Sequence, residues 1–324
     1  MTTHFADLAQ RAAAAGQLSA EDVLALRREG WGDGVITREE AEALFAINNA
    51  LDQRGEEWCD FFVEAIGEYV LNATPPRLQC DEQEANWLIA QVNREGAVES
   101  MVELETLVRV IERAENLPTK LKDYVVSQVE REVLSGTGPT RCGGELSSQH
   151  ITSAEVKILR RVIFASGGYG PAAVSRFDAE MMFRLKDATL AEDNAPEWDD
   201  LFLDAVSNYL KGFALQNAQI EHGRAKELQE FVADNKANVG RFMGQMAREV
   251  PQVRNHFGKV FGKKDTSPIH ASPSQTGPSY TEQAMAGEQV TDHEQEWLDA
   301  MMAQDGETDD LERRLIARII EEGE

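Results

Sequence analysis

Residues 31–70 read WGDGVITREEAEALFAINNALDQRGEEWCDFFVEAIGEYV, and much of this pattern returns later in the chain. Residues 174–183 (VSRFDAEMMF) match 36–45 (ITREEAEALF). Residues 197–210 (EWDDLFLDAVSNYL) match 57–70, with six of fourteen positions identical and most others conservative. Such agreement in register predicts two copies of one fold.

Helical spacing dominates this stretch. Thr37 and Glu40 form a T-x-x-E capping box that opens one helix, and apolar residues from Trp58 to Val70 follow the three-and-four rhythm of a wide buried face. Upstream, residues 151–161 (ITSAEVKILRR) match 18–28 (LSAEDVLALRR). No segment of the first half shows sustained β-branched alternation. The sequence therefore predicts an all-α protein.

The repeat divides the chain into two homologous helical modules built from helix-loop-helix units. We predict a first module at 1–135, a glycine-rich linker at 136–150 and a second module at 151–324.

The second module is interrupted. A basic, helical stretch is expected at about 223–264, and a linker at 265–290, rich in Pro, Ser, Thr and Gly, is expected to be disordered. A C-terminal helix pair at 296–321 then completes the module. It begins with Trp297-Leu298, which repeats Trp87-Leu88 of the first module.

The charge of the chain restricts its partners. A net charge of -25, from 57 acidic and 32 basic residues, repels phosphate backbones and argues against nucleic acid. The three cysteines are an odd number without metal-ligand spacing, which favours reduced thiols in the cytoplasm. Neither an export signal nor a run of about 18 apolar residues occurs, so we expect neither export nor membrane insertion.

The loop from Glu29 to Glu40 has the length and part of the spacing of an EF-hand calcium loop. Asp33 takes the fifth position, Thr37 the ninth and Glu40 the twelfth. Two features depart from the motif, since Glu29 replaces the usual aspartate and Trp31 occupies a ligand position that it cannot serve. The open alternatives are a divalent-cation site, with Ca²⁺ at Glu29, Asp33, Thr37 and Glu40, and a helix-connecting turn without cofactor.

The Asp33-Gly34-Val35-Ile36 loop between helices, together with the repeat, carries a resemblance. The pattern resembles degenerate EF-hand pairs and the all-helical, tellurite-resistance TerB-like domains, and is similar to an uncharacterised proteobacterial family with EF-hand-like repeats. The resemblance covers residues 18–212 and extends to 296–321. It implies a helical fold and cation binding at Asp33 and Glu40, and it implies no activity.

The sequence assigns no catalytic residue. The six histidines are scattered, no G-x-S-x-G elbow occurs, and paired carboxylates carry no information in so acidic a chain. The expectation is a non-enzymatic cytoplasmic interaction or scaffold protein with protein partners, modulated by a divalent cation; its oligomeric state is left open. The alternatives are an enzyme of unrecognised type with an inter-module cleft, and a peripheral membrane protein using the basic 236–264 stretch.

Overall fold

The structure is a computed structural model of the chain. It describes residue 11 and residues 14–30, 35–93, 96–141, 150–165, 174–210, 292–303 and 308–323. The basic stretch predicted at 223–264 and the linker predicted at 265–290 lie outside the described residues.

Eleven α-helices make up most of the described chain. Their bounds are α1 Ala20–Gly30, α2 Arg38–Ala50, α3 Glu56–Asn72, α4 Glu82–Val92, α5 Met101–Arg113, α6 Thr119–Ser135, α7 Ser153–Ile163, α8 Arg176–Thr189, α9 Trp198–Leu210, α10 Asp292–Met302 and α11 Asp310–Gly323. A short 3₁₀ helix spans Pro139–Arg141, and Gln79 forms an isolated bridge with Asn116. The described residues form no sheet, so the all-α prediction is confirmed.

Local sequence signals set the helix ends. Helix α2 begins at the predicted capping box, where the amide of Thr37 donates to Oε2 of Glu40 at 2.9 Å and the amide of Glu40 donates to Oγ1 of Thr37 at 3.3 Å. Helix α6 follows Pro118 and ends at Gly136, whose φ of 68° lies in the left-handed region that glycine adopts without strain. The start of α2 therefore lies at the capping box that the sequence predicts.

Helix α3 is the centre of the first repeat, by which we mean α1–α5. It packs against the other four helices of the repeat. The ring of Phe45 on α2 stands edge-on to Phe62 of α3 at 5.0 Å and to Trp87 of α4 at 5.8 Å. Tyr69 of α3 contacts the same Trp87 at 4.7 Å. Edge-to-face pairs of this kind contribute about 0.5–1.5 kcal/mol beyond their burial.

The second repeat, α7–α11, contains the same aromatic contacts. Phe183 of α8 stands edge-on to Phe202 of α9 at 5.2 Å and to Trp297 of α10 at 5.8 Å. Tyr209 of α9 lies 4.6 Å from Trp297. Helix α10 therefore brings Trp297, from far along the chain, to the position that Trp87 has in the first repeat.

Helix α11 packs against α9. Arg314 forms an ion pair with Asp199 at 2.5 Å, and Arg318 with Asp204 at 2.9 Å. Residues 296–321, predicted as a helix pair, thus contact α9 of the second repeat. The division of the chain into two homologous modules stays a prediction, as do the boundaries of the modules; first and second repeat are used here as names for α1–α5 and α7–α11.

Helix α6 joins the two repeats. It packs against α4 and α5 on one side and against α7 and α8 on the other. Next to it, the guanidinium of Arg161 on α7 donates to both carboxylates of α5 that face it, Glu105 and Glu112, at 2.6 to 2.8 Å. The repeats are therefore in direct contact through apolar packing and a four-bond ion cluster.

Residues 136–141 form most of the described part of the predicted linker, and they pack against the neighbouring helices. Thr140 donates its hydroxyl to Glu132 at 2.5 Å, and Arg141 donates to the buried Glu155 at 2.8 Å. Burial raises the pKa of Glu132. Residues 142–149 lie outside the described part.

Candidate functional site

The cation site predicted at Glu29, Asp33, Thr37 and Glu40 is described only in part. Asp33 lies outside the described residues, as does the side chain of Glu29. Thr37 and Glu40 come together, because the hydroxyl of Thr37 also donates to Oε2 of Glu40 at 2.9 Å. Within the described ranges, no group of three or more His, Cys, Asp and Glu side chains is arranged to hold a metal ion. Metal binding by this loop stays a prediction.

The second repeat has a lysine ammonium where its first two helices meet. Nζ of Lys122, on α6, lies 3.0 Å from the carbonyl oxygen of Ile163 at the end of α7 and 3.0 Å from Oδ2 of Asp178 in the first turn of α8. Asp178 corresponds to Glu40 in the repeat and is fully buried. A cationic group is thus held between a helix-end carbonyl and a capping carboxylate.

A buried ion cluster connects α8 to the first turn of α11. Lys186 is 2% exposed, and its Nζ lies 2.6 Å from Oδ2 of Asp309, 2.6 Å from Oε1 of Glu312 and 2.9 Å from Oδ1 of Asp187. Burial alone would lower the pKa of Lys186, but the three carboxylates outweigh it and the pKa is raised. Burial works against ionisation of Asp309 too, yet the ammonium and backbone amides keep the pKa of Asp309 below its usual value.

A pocket of about 860 Å³ opens beside this cluster, between the α8–α9 loop and the start of α11. Leu190, Trp198 and Leu311 form its apolar wall. Its charged residues comprise five carboxylates and three cations: Glu192, Asp193, Asp199, Asp309, Asp310, Lys186, Arg313 and Arg314. The excess of carboxylates favours cationic over anionic groups here.

A second pocket of about 860 Å³ lies between α1, α3 and α5 and contains Cys59. Burial raises the pKa of the Cys59 thiol, so this thiol is protonated at neutral pH. Since the thiolate is the nucleophile, Cys59 is not activated for covalent chemistry.

The outer face of α11, which we define by Ile316 and Ile320, is exposed and apolar. These side chains are 38% and 59% exposed. The caps of α5 and α11 align Ser100-x-x-Glu103 with Asp309-x-x-Glu312, which makes Leu107 and Ile111 the corresponding residues of α5. Those two are 0% and 1% exposed, and α5 packs against α6 and α7 as well as against α3.

The sequence did not single out Lys122 or Lys186. A lysine on a helix is usually solvated, so its type gives no signal. One signal was available for Lys186. Continuing the alignment of 36–45 with 174–183 by three positions places Lys186 opposite Asn48, and the helix face that carries both residues is otherwise apolar.

Two further findings bear on function. None of the described helices combines the length and apolar composition that crossing a membrane requires. Comparison with family models, with curated proteins and with solved structures found no match to this chain.

Proposed function

We propose that the protein is a non-enzymatic cytoplasmic scaffold that binds a partner protein through the outer face of α11. The observation that carries the proposal is the exposure of Ile316 and Ile320 where the first repeat buries Leu107 and Ile111. Apolar side chains on adjacent turns of one helix favour contact with another apolar surface.

The first repeat suggests what kind of partner fits. There α5 is covered by helices, and Arg161 of α7 reaches Glu105 and Glu112. On α11 the residue that corresponds to Glu112 is Glu321, which is exposed. We therefore expect an amphipathic helix whose apolar residues cover Ile316 and Ile320 and whose basic residue pairs with Glu321. A basic partner also suits the net charge of -25.

The test compares the full chain with an Ile316→Glu/Ile320→Glu double variant. The matched control is Leu24→Glu, which places a charge on a side chain of α1 that is 47% exposed. Each tagged chain is purified from its own cells, and the co-purified proteins are measured by quantitative mass spectrometry.

The wild type and the control should retain the same partner, and the double variant should retain about a tenth or less, since two buried isoleucines contribute several kcal/mol to an interface. Circular dichroism checks that all three chains are folded. Equal retention by all three, or no retained protein with the wild type, contradicts the proposal.

A second candidate function is modulation by a divalent cation at residues 29–40. The arrangement around Lys122 favours it, because an ammonium there bridges Asp178 and the end of α7. The described residues provide Glu40, at the corresponding place, with no lysine or arginine partner. A metal ion between Glu40 and the end of α1, with Asp33 as a further oxygen ligand, would take the role of that ammonium.

Isothermal calorimetry with Ca²⁺, Mg²⁺ and Zn²⁺ tests this candidate. Wild type should bind one cation, and an Asp33→Ala/Glu40→Ala variant should not, because the hard oxygens are removed. The control is Glu84→Ala, which removes the equivalent capping carboxylate from α4 and should leave binding unchanged. Absent binding, or equal binding by wild type and double variant, rules out this site.

A further inference from the structure

The first repeat fixes its helix pair, α4 and α5, with a neutral side chain at the place of Lys186. Nδ2 of Asn48 donates to Oε1 of the buried Glu103 at 3.3 Å. Its Oδ1 accepts from Nε of Arg54 at 3.0 Å and from the indole of Trp58 at 3.2 Å. Helix α5 is capped by Ser100, which has no charge. At the place of Lys186, the buried carboxylate of α5 therefore meets an amide rather than an ammonium.

The rest of the two docking surfaces is closely similar. Besides the matching aromatic contacts, the indole of Trp87 donates to Glu42 at 3.3 Å and the indole of Trp297 donates to Glu180 at 3.4 Å. Neither contact distinguishes one helix pair from the other. The polar residues around Lys186 and Asn48 are the clearest chemical difference between the surfaces.

Each exchanged pairing would lose a polar contact that the observed pairing has. If α10 and α11 docked on the first repeat, the carboxylates of Asp309 and Glu312 would meet Asn48, which already accepts from Arg54, in place of the ammonium of Lys186. If α4 and α5 docked on the second repeat, Lys186 would keep Asp187 and find Glu103, but it would have Ser100 in place of Asp309. A buried charge without its partner is strongly disfavoured, whereas a satisfied one is tolerated.

We propose that the α8–α9 surface around Lys186 is a selective docking site for a helix pair that carries a tryptophan and an Asp-x-x-Glu cap. Its occupant is α10–α11 of this chain, and Lys186 favours this pair over α4–α5, whether α4–α5 comes from the same chain or from a second copy, because only α10–α11 supplies two carboxylates. Selection between similar parts by a buried polar residue is the best-attested use of such groups. The proposal does not depend on the partner-binding face of α11.

Hydrogen exchange on the full-length protein tests the docking. In a Lys186→Asn variant, the backbone amides of α11 should exchange about tenfold faster or more, while those of α5 keep their wild-type rates. The control is Lys120→Asn, a lysine that is 39% exposed and paired with Glu82, and it should leave both helices unchanged. Exchange of α11 within about twofold of wild type in Lys186→Asn overturns the proposal.

A second variant distinguishes selection between the two helix pairs from attachment of α11 alone. Lys186→Asn combined with Asp309→Ser gives the second repeat the polar pair of the first. This variant should regain most of the α11 protection, but its helix pairs should exchange between sites. After refolding from urea at one protein concentration, its dimer fraction by light scattering should be several times that of wild type. A dimer fraction equal to that of wild type overturns the selective role of Lys186.

Discussion

In the first repeat, α4 and α5 follow α3 directly along the chain and are fixed by a neutral amide, Asn48. In the second, α10 and α11 begin only at Asp292, beyond residues 211–291, and are fixed by an ammonium, Lys186. A nearby helix pair reaches its site at little entropic cost and before any competitor. A distant pair has neither advantage, so its polar contacts must also distinguish it from the similar pair α4–α5. Two similar apolar cores thus carry different polar residues. The core whose helix pair follows directly in the chain has an amide, and the core whose helix pair follows after residues 211–291 has an ammonium.

The largest effect is expected from removing the two equivalent tryptophans, Trp87 and Trp297. Trp87→Ala should lower the free energy of unfolding of the whole protein by about 3–5 kcal/mol, because it leaves a cavity among α2, α3 and α4. Trp297→Ala should instead release α10 and α11 while the first repeat stays folded. Urea denaturation and hydrogen exchange measure the two effects. If both variants lost stability throughout the protein, the proposed difference between the two helix pairs would be refuted.

A smaller effect is expected at Arg161, which bonds to α5, and at its counterpart Arg28, which is exposed on α1. Arg161→Ala should cost about 1 kcal/mol, since its four hydrogen bonds are charged but its side chain is 32% exposed. Arg28→Ala should change stability by less than about 0.5 kcal/mol. Urea midpoints at constant salt measure both. Equal midpoints for the two variants would show that the cluster adds no stability between the repeats.

The smallest effect is expected from pH. Lys186 and backbone amides keep the pKa of Asp309 below its usual value, so its stabilising contribution is complete above about pH 4 and is lost as the pH falls through the lowered pKa. The first repeat has Ser100 at this position. In NMR spectra, the indole signal of Trp297 should therefore change at a higher pH than that of Trp87. In Asp309→Asn this difference should disappear, and its persistence would contradict the role of Asp309.

The helices of this fold could be predicted from local signals. The capping box at Thr37 and Glu40, and the proline and glycine that enclose α6, act within one or two turns, so a single sequence contains them in full. The all-α class followed from the same short-range periodicity. The packing of residues 136–141 did not, because Thr140 and Arg141 are positioned by Glu132 and Glu155 on two different helices.

The polar clusters could not be predicted in the same way. Lys186 becomes a buried group only through Asp309 and Glu312, which lie far away in sequence. Lys122 likewise acquires its role from Ile163 and Asp178 on the next repeat. Burial of a charge is a property of the assembled fold, whereas the sequence shows only a residue type that is usually solvated.

The position of Trp297 has a consequence for the protein while it is being synthesised. At roughly 5–20 residues per second, a ribosome needs on the order of 10 s to extend the chain from the end of α9 to the end of α11. During that interval Trp297 is not yet available to cover the rings of Phe183 and Tyr209. Because apolar surface that is exposed during synthesis is prone to aggregation, we expect the α8–α9 surface to be the part of the second repeat that most needs protection until α10 is made.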